Sequence, residues 1–446
     1  MSKPESVASP PVLTFGVLFS LYLAEGLPHG VYTEAMSTIL RSHGIANNII
    51  SIGYMLGFPW ALKPLWAPYV DSLYSARLGQ RRSWILPMQA LSIITLVAVA
   101  LWFDPRSLGS TAGVGAFFLV IVLLNFFSST QDIASDGLAV RILAAHQRGL
   151  GNGIQVAGHR LGLVVGGGVL LYVLGTWGWR ASFLGLAGLL SCLMLLVLFY
   201  REPAPVAARE PRGESMRHIY QSFLARPGMR GWLVVLMVYK AGEAGMAMVK
   251  PMLVDMGYSV AKIGLMVSVV GSGCAVLGAL VGGWLTNRLG RYRAIVGFGF
   301  LQALATATYG GLSWLHDGGQ TVAPWMVYSI SALEHFAGGM ATVAVLTAIM
   351  DFSRAEHAGA DFTVQVSVFT MFGGLFYVAA GSVAHHLGYT ACFGLFSALA
   401  LALLCLPLVL CRRLPFQGAG GPLGGDGRFG GQSPALKAAA PENAHD

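Results

Sequence analysis

Apolar stretches of about 20 residues recur almost from end to end in this 446-residue chain. Only 11% of the residues are Asp, Glu, Lys or Arg, against roughly 25% in a soluble domain, and the mean hydropathy is +0.64. Because one membrane-spanning helix needs about 20 apolar residues, about twelve helices with short loops account for the length. The pattern excludes an ordinary soluble enzyme and predicts an all-α membrane protein with twelve transmembrane helices.

Charged residues and Gly/Pro positions mark the ends of the apolar stretches. No cleavage signal follows the first stretch, so we expect it to remain as a membrane span. The predicted helices cover 12–34, 47–70, 83–103, 113–140, 151–173, 181–200, 231–250, 262–285, 292–312, 324–350, 362–384 and 389–411.

Basic residues are concentrated on one side of the predicted bundle. With both termini in the cytoplasm, the cytoplasmic segments hold about 20 of the 28 Lys and Arg residues, and cells retain positive loops on the inner side. The net charge of +8 is scattered over short loops and forms no basic patch interleaved with aromatic residues. We therefore predict a multi-pass protein with both termini cytoplasmic and no nucleic-acid partner.

The longest polar stretch, 201–230, divides the chain into two halves. We predict an N-terminal six-helix half (1–200), a cytoplasmic linker (201–230) and a C-terminal six-helix half (231–411). After the second helix the chain reads DSLYSARLGQRR, and after the eighth it reads GGWLTNRLGRYR. Both loops carry an Asp or Asn ahead of an arginine-rich Arg-Leu-Gly segment, which indicates an internal duplication. The Gly-, Ala- and Pro-rich tail (412–446) is predicted to be disordered.

The loop after the eighth helix resembles a family signature. From Gly283 to Arg291 it is similar to the G-x-x-x-[DN]-R-x-G-R loop of the major facilitator superfamily, with Asn287 in place of the commoner Asp. The first loop departs from this pattern, because no glycine stands four residues before Asp71. The resemblance implies the major facilitator fold and transport by alternating access.

Longer segments of the chain resemble one particular group within this superfamily. PWALKPLWAPYVD (59–71), SSTQDIASDGLAV (128–140) and GHRLGLVVGGG (158–168) resemble anhydromuropeptide permeases of the AmpG type. Residues 350–368 are more similar to the branch that imports rhizobactin- or pyochelin-type ferric siderophores. The resemblance implies a monomeric, proton-coupled importer in the bacterial inner membrane. Its expected solute is a ferric siderophore, and a muropeptide is the alternative.

Acidic residues occur at membrane depth on helices 1, 4, 7 and 10. They are Glu25, Asp132, Glu243 and Glu334. An ionisable group at this depth costs about 2.5–3.5 kcal/mol on insertion scales, so it needs a partner, water or a function. In the family these four helices line a central cavity, which implies that the acids face it; ion pairing within the bundle is the alternative for each.

Glu25 and His29 lie four residues apart and therefore share one face of helix 1. A Glu–His pair that faces water can bind and release a proton near neutral pH. We therefore predict that both residues take part in proton coupling. The alternative is a histidine that merely satisfies the carboxylate or a carbonyl group.

Two further acids are candidates in the C-terminal half. Glu243 is less suited to proton coupling, because Lys240 lies three residues earlier and can neutralise it. Glu334 and His335 are adjacent and point about 100° apart on a helix, so we expect only one to face the cavity, and we favour Glu334.

An anionic solute needs a cationic anchor, and Arg160 is the first candidate. It lies at a depth similar to that of Asp132 on the neighbouring helix, which predicts an Asp132–Arg160 salt bridge. We place Lys63 nearer the inner surface, where its side chain can reach the interface. The predicted substrate-binding residues are Arg160, Asp132, Lys240, His335 and Tyr22.

The resemblance also implies a charge network that closes the cytoplasmic side between the two halves. The predicted gate residues are Asp71, Arg81, Asp136, Arg141, Asn287, Arg288 and Arg291.

Other protein classes fit the sequence less well. Asp132 and Asp136 lie on one helix, whereas an intramembrane aspartyl dyad is normally built from two. The adjacent His385 and His386 cannot share a helix face, so we expect no metal site and no cofactor. The chain has no filter-like repeat of a channel and no GxxxxGK[ST] loop of an ATP-driven pump.

Overall fold

The computed structural model describes residues 11–45, 49, 53–203 and 215–411. Within these ranges, nine helices are long and apolar enough to cross a membrane, and we number the crossings as spans in chain order. The nine helices are Val12–Ser42, Arg82–Trp102, Thr111–Ile142, Arg148–Phe199, Met229–Asp255, Gly264–Leu289, Arg291–Asp317, Pro324–Phe352 and Ala358–Leu410.

Two of these helices are long enough for two crossings, and each is kinked at a glycine. Gly178 in Arg148–Phe199 and Gly388 in Ala358–Leu410 both have φ 82°, a left-handed conformation that glycine adopts without steric cost. The segments that follow, GWRASF (178–183) and GYTACF (388–393), are similar in sequence. Each glycine therefore divides its helix into two spans, 5 and 6 in the first half and 11 and 12 in the second.

Span 2 consists of short helical segments, in contrast to the single helix predicted for 47–70. The segments are Tyr54–Gly57, Phe58–Leu62, Lys63–Leu65 and Ala67–Ser72. The prediction was wrong here because the prolines at 59, 64 and 68 lack a backbone N–H group and interrupt helical hydrogen bonding. With this span the described chain makes twelve crossings, so the predicted twelve-helix architecture is confirmed.

The outside of the bundle is apolar. Trp102, Phe199 and Val378 are between 75% and 80% exposed, as expected for side chains in contact with lipid. Ionisable side chains such as Glu25 and Asp136 are buried inside the bundle. This distribution, apolar outside and ionisable inside, is the reverse of that in a soluble protein and agrees with a protein surrounded by lipid.

Spans 1 and 5 pack closely through glycines. A Cβ atom on Gly162 would lie 2.6 Å from the Cα atom of Gly26, and one on Gly167 would lie 3.4 Å from the carbonyl oxygen of Gly30. Small residues allow membrane helices to approach in this way. Gly162 and Gly167 thus permit the close approach of the two spans, whereas Gly168 faces open space.

The two halves pack together at one end of the bundle. We call this the basic end; it carries the loops at 73–81, 143–147 and 353–357, and the sequence predicts that it faces the cytoplasm. Span 5 packs against span 8 near Gly149 and Gly283, and spans 2 and 4 pack against span 11. A substrate site between the halves is therefore closed at the basic end.

A short linker helix, Met216–Leu224, contacts both halves at the basic end. The hydroxyl group of Tyr220 donates a 2.5 Å hydrogen bond to the carbonyl oxygen of Pro64, and Arg354 donates to the carbonyl oxygen of Ile219 at 3.1 Å. Burial raises the pKa of Tyr220, so the hydroxyl group remains a donor at physiological pH. The remaining linker residues 204–214 and the tail predicted to be disordered, 412–446, lie outside the described residues.

Candidate substrate and proton site

A cavity of about 850 Å³ lies between the two halves. Among the residues that the structure describes, every charged side chain and histidine of its lining belongs to spans 1, 2, 4 and 5, so the charge of the lining is asymmetric. These residues are Glu25, His29, Lys63, Asp132, Asp136, His159 and Arg160. In the described part of the chain, the wall from spans 10 and 11 carries no charged side chain and consists of Thr342, Leu346, Phe362, Val364, Val366, Ser367, Val368, Thr370 and Met371.

Lys63 and Asp132 form a buried ion pair inside the cavity. The broken helix of span 2 directs Lys63 inward, and its Nζ atom also lies 4.8 Å from the centroid of the Trp60 ring. The predicted Asp132–Arg160 salt bridge and the surface position of Lys63 were therefore both wrong. The sequence did not reveal that the turn at Lys63–Leu65 rotates this side chain toward span 4.

Asp136 lies within the cavity and contacts only its own half among the hydrogen bonds of the described residues. Tyr22 donates to its Oδ1 atom at 2.8 Å, and Gln155 donates to the same atom at 3.1 Å. The prediction that Asp136 belongs to a gate between the halves was wrong, because it lies about two turns inside span 4. Tyr22 does line the cavity, as its predicted role requires.

Glu25 is held by a histidine that the sequence analysis did not select. The carboxyl group is 2% exposed, and its Oε1 atom lies 3.1 Å from Nδ1 of His159 on span 5. Its Oε2 atom is buried without a hydrogen-bond partner. An orphaned, buried carboxylate oxygen is costly unless the group takes up a proton or water reaches it.

The four-residue spacing predicted a direct pair of His29 with Glu25. The structure instead connects the two residues through His159. The Nδ1 atom of His29 lies 3.3 Å from Nε2 of His159. The ring of His29 stacks on Trp60 with the centroids 4.4 Å apart, and Trp60 is fixed by a 2.9 Å hydrogen bond to Asn125. The three groups form a continuous chain from a buried carboxyl group to the cavity.

Arg160 is the unpaired cation of the site. It lines the cavity and is exposed, and within the described part of the chain no hydrogen bond or ion pair involves its guanidinium group. Lys63 pairs with Asp132, the acid predicted for Arg160, and the neighbouring His159 contacts Glu25. A free guanidinium group presents several donors in a planar fork that matches a carboxylate.

The ionisable residues that the sequence proposed in the C-terminal half lie outside the lining of this cavity. Lys240 Nζ pairs with Glu243 Oε2 at 2.9 Å, as the spacing predicted, and Tyr377 donates to the same oxygen at 3.4 Å. Among the described residues, the cavity lining includes neither Lys240 nor Glu243. The predicted position of Lys240 at a substrate site shared by both halves is not observed.

Glu334 and His335 also lie outside the cavity lining. Gln302 donates to Oε1 of Glu334 at 2.6 Å, and Nδ1 of His335 lies 3.0 Å from Oε2. The expectation that the two adjacent side chains diverge and that Glu334 faces the cavity was wrong, because the His335 ring folds back onto its neighbour. Glu334 is therefore a buried acid with two protein partners.

Asp71 joins the two halves at the basic end. Its side chain pairs with the fully buried Arg81 of its own half. It also accepts hydrogen bonds from the backbone N–H groups of Gly359 at 3.1 Å and Ala360 at 2.7 Å. A carboxylate is favourable at these first N–H groups of span 11 because they are otherwise unpaired and carry positive partial charge.

Asn287 makes the equivalent contact from the second half. Its Oδ1 atom accepts a hydrogen bond from the N–H group of Gly149 at the start of span 5, at 3.1 Å. Nearby, Asp351 binds Arg148 of the first half at 2.7 Å and Arg291 of the second at 2.8 Å. The two duplicated loops thus each bind the first turn of a helix in the opposite half.

Arg141 and Arg288 are the two remaining gate residues that the sequence predicted. Arg141 binds Gln80 of its own half at 2.7 Å and Glu202 of the linker at 3.3 Å. Arg288 is exposed and lies over the Trp284 ring, 4.0 Å from its centroid.

Sequence reasoning missed several residues of these networks, among them His159, Gln155 and Asp351. His159 and Gln155 lie four residues apart on span 5, and this spacing on a glycine-rich helix is the signal that could have placed both on one face. Asp351 lies at the end of span 10 within a segment that was used only for its resemblance to other proteins. Among the described residues, no cluster of three or more His, Cys, Asp or Glu side chains has the arrangement of a metal site.

We expect Asp71→Asn to loosen the basic end and to destabilise the protein. The change leaves the buried Arg81 without a charged partner, which costs about 3–5 kcal/mol at a buried pair. Hydrogen–deuterium exchange of residues 358–362 should increase. Asn287→Ala is the matched control, since it removes a neutral contact and should increase exchange only near 148–152; unchanged exchange at 358–362 in Asp71→Asn would contradict the gate.

The fold and the cavity define a class of protein: a multi-pass transporter with two related halves. The sequence profile of the Major Facilitator Superfamily matches residues 14–360 and 246–430. The chain therefore belongs to the major facilitator superfamily, and the fold that the resemblance implied is confirmed.

Relatives and solved structures agree with this assignment. The anhydromuropeptide permease of Escherichia coli K12 is 28% identical over 408 residues, which cover 89% of this chain and 79% of the permease. The putative transporter AmpG 4 of Rickettsia conorii is 22% identical over 405 residues, 88% of this chain and 95% of that protein.

Two solved transporters have similar folds. The human organic anion transporter MFSD10 has a TM-score of 0.64 at 16% identity and covers 90% of this chain with its whole length. The transporter FucP, in the outward conformation, has a TM-score of 0.61 at 12% identity over 88% of this chain and 98% of its own.

Proposed function

We propose that the protein imports an anhydromuropeptide across the bacterial inner membrane together with protons. The observation that carries this proposal is the unpaired Arg160 in a cavity of about 850 Å³. This volume lies in the range of about 300–1,000 Å³ typical of small-molecule sites. A muropeptide offers peptide carboxylates to Arg160 and sugar rings to the aromatic and apolar walls.

The relatives favour a muropeptide over the ferric siderophore that the sequence suggested. Both AmpG-like relatives described above cover most of this chain, and the E. coli protein is named for anhydromuropeptides. The ferric siderophore therefore becomes the competing substrate that an experiment must separate.

Alternating access is supported by the contacts at the basic end. Asp71 binds the first turn of span 11, and Asn287 binds the first turn of span 5. Release of these contacts opens the cavity at the basic end, which the sequence predicts to face the cytoplasm. Proton coupling is supported by Glu25, the cavity acid with an orphaned, buried oxygen. Rocking of the two halves exposes the same site to either side of the membrane.

Uptake into proteoliposomes tests the substrate assignment. The purified protein is reconstituted, a pH gradient that is acidic outside is imposed, and labelled anhydromuropeptide or radio-iron-labelled hydroxamate chelate is supplied. We expect gradient-dependent accumulation of the muropeptide and only background uptake of the chelate. Accumulation of the chelate alone would restore the siderophore assignment and contradict this proposal.

A further inference from the structure

The cavity contains a hydrogen-bonded path that ends at a buried acid. His29 lines the cavity, its Nδ1 atom lies 3.3 Å from Nε2 of His159, and Nδ1 of His159 lies 3.1 Å from Oε1 of Glu25. The path crosses from span 1 to span 5 and back. Both histidines are partly buried, whereas Glu25 is almost fully buried, so the path joins two partly exposed rings to a buried carboxyl group.

One arrangement of protons satisfies all three groups. His159 donates its Nδ1–H to the Glu25 carboxylate, and His29 donates its Nδ1–H to Nε2 of His159. The Nε2 atom of His29 then keeps a lone pair for a proton from the cavity. Trp60 holds the His29 ring in this orientation, because the two rings are stacked and the indole N–H group is bound to Asn125.

We propose that His159 carries protons between the cavity and the carboxyl group of Glu25, with His29 as the entry point. The proposal rests on the proton-coupled transport proposed above. A proton that binds Nε2 of His29 allows its Nδ1 proton to pass to Nε2 of His159, and the Nδ1 proton of His159 then passes to Oε1 of Glu25. In total, one proton binds Nε2 of His29 and one proton is stored on Oε1 of Glu25, and both imidazole rings change tautomer. Release of the proton follows the same steps in reverse.

Other charged groups surround this path and set its electrostatic environment. The titratable groups that face it are Tyr22 of span 1, Lys63 of span 2, Asp132 and Asp136 of span 4, and Arg160 of span 5. The Lys63–Asp132 pair and the Tyr22–Asp136 bond occupy the two nearby acids. Glu25 is thereby the cavity acid that lies against an imidazole ring, which can take up a proton at one nitrogen as it releases one at the other.

Infrared spectroscopy of the full-length protein in nanodiscs tests the path without any solute. A rapid drop in pH should produce the carbonyl band of a protonated carboxyl group, and Glu25→Gln should remove that band. We expect His159→Ala to slow its appearance by about tenfold or more, since positioned proton-transfer groups contribute factors of about 10²–10⁴. Added imidazole should restore the rate, which a purely structural defect would not allow.

His335→Gln is the matched control, because His335 contacts Glu334 at 3.0 Å in the other half and lies outside the cavity lining. It should leave the Glu25 band and its rate unchanged. If His159→Ala fails to fold, His29→Gln tests the same path and should also slow the band. An unchanged rate in folded variants at both positions, or the absence of a Glu25 band in the wild type, would overturn the proposal. Since no muropeptide is present, failure of the substrate assignment would leave this result intact.

Discussion

Glu25→Gln is expected to abolish the accumulation of solute against its gradient while leaving solute exchange intact. For one proton per solute, each pH unit across the membrane is worth about 1.4 kcal/mol, or about tenfold accumulation. A glutamine at position 25 retains the size of the side chain and a hydrogen bond to His159 but cannot take up the proton. Labelled muropeptide should therefore reach only its equilibrium level in proteoliposomes that bear a pH gradient.

Glu334→Gln is the matched control for this prediction. Glu334 is also buried and also contacts a histidine, but among the described residues it belongs to a separate cluster with Gln302. The control variant should still accumulate solute, with exchange rates confirming that it is folded. Normal accumulation by Glu25→Gln would show that the proton is carried elsewhere.

Arg160→Ala is expected to weaken muropeptide binding by about 10- to 150-fold. The change removes charge-assisted hydrogen bonds, which contribute about 1.5–3 kcal/mol. Because no protein hydrogen bond or ion pair to Arg160 is recorded in the described part of the chain, the fold should lose little stability. Calorimetric titration of the purified protein gives the dissociation constant, and thermal unfolding in the same detergent gives the stability.

Arg160→Lys separates charge from geometry. A lysine keeps the positive charge but loses the planar fork that binds a carboxylate through two hydrogen bonds. We expect an affinity between those of the wild type and Arg160→Ala. Affinity equal to the wild type in Arg160→Ala would exclude this residue as the anchor.

Much of the fold follows from patterns that a single sequence displays. Spans 3 and 4 are continuous apolar helices and lie close to their predicted limits. Span 2 could not be predicted in the same way, because its prolines interrupt the helix without changing its apolar character. The turns at Gly178 and Gly388 were predicted as short connections, and the structure reduces each to a glycine kink.

The candidate site was predictable in its residue types but not in its pairings. The buried acids and cations were visible because charges are rare at membrane depth. Their partners depend on helix rotation, which placed Lys63 rather than Arg160 against Asp132, and His159 rather than His29 against Glu25. Depth along a helix is encoded locally, whereas the direction of a side chain depends on packing between helices.

The gate shows the same distinction. The duplicated loops were recognisable, and Asp71 and Asn287 do contact the opposite half. The partners are backbone N–H groups at helix starts, which have no residue-specific signature. Sequence reasoning predicted a network of charged side chains, whereas the partners of both residues in the opposite half are backbone N–H groups.

The most direct test of the account is whether protons move with the solute. The protein is reconstituted in liposomes that contain a pH-sensitive dye, with no imposed pH gradient, and anhydromuropeptide is added outside. The account predicts that the lumen acidifies as the solute enters and that Glu25→Gln abolishes the acidification. Entry of the muropeptide without acidification of the lumen would contradict proton-coupled import.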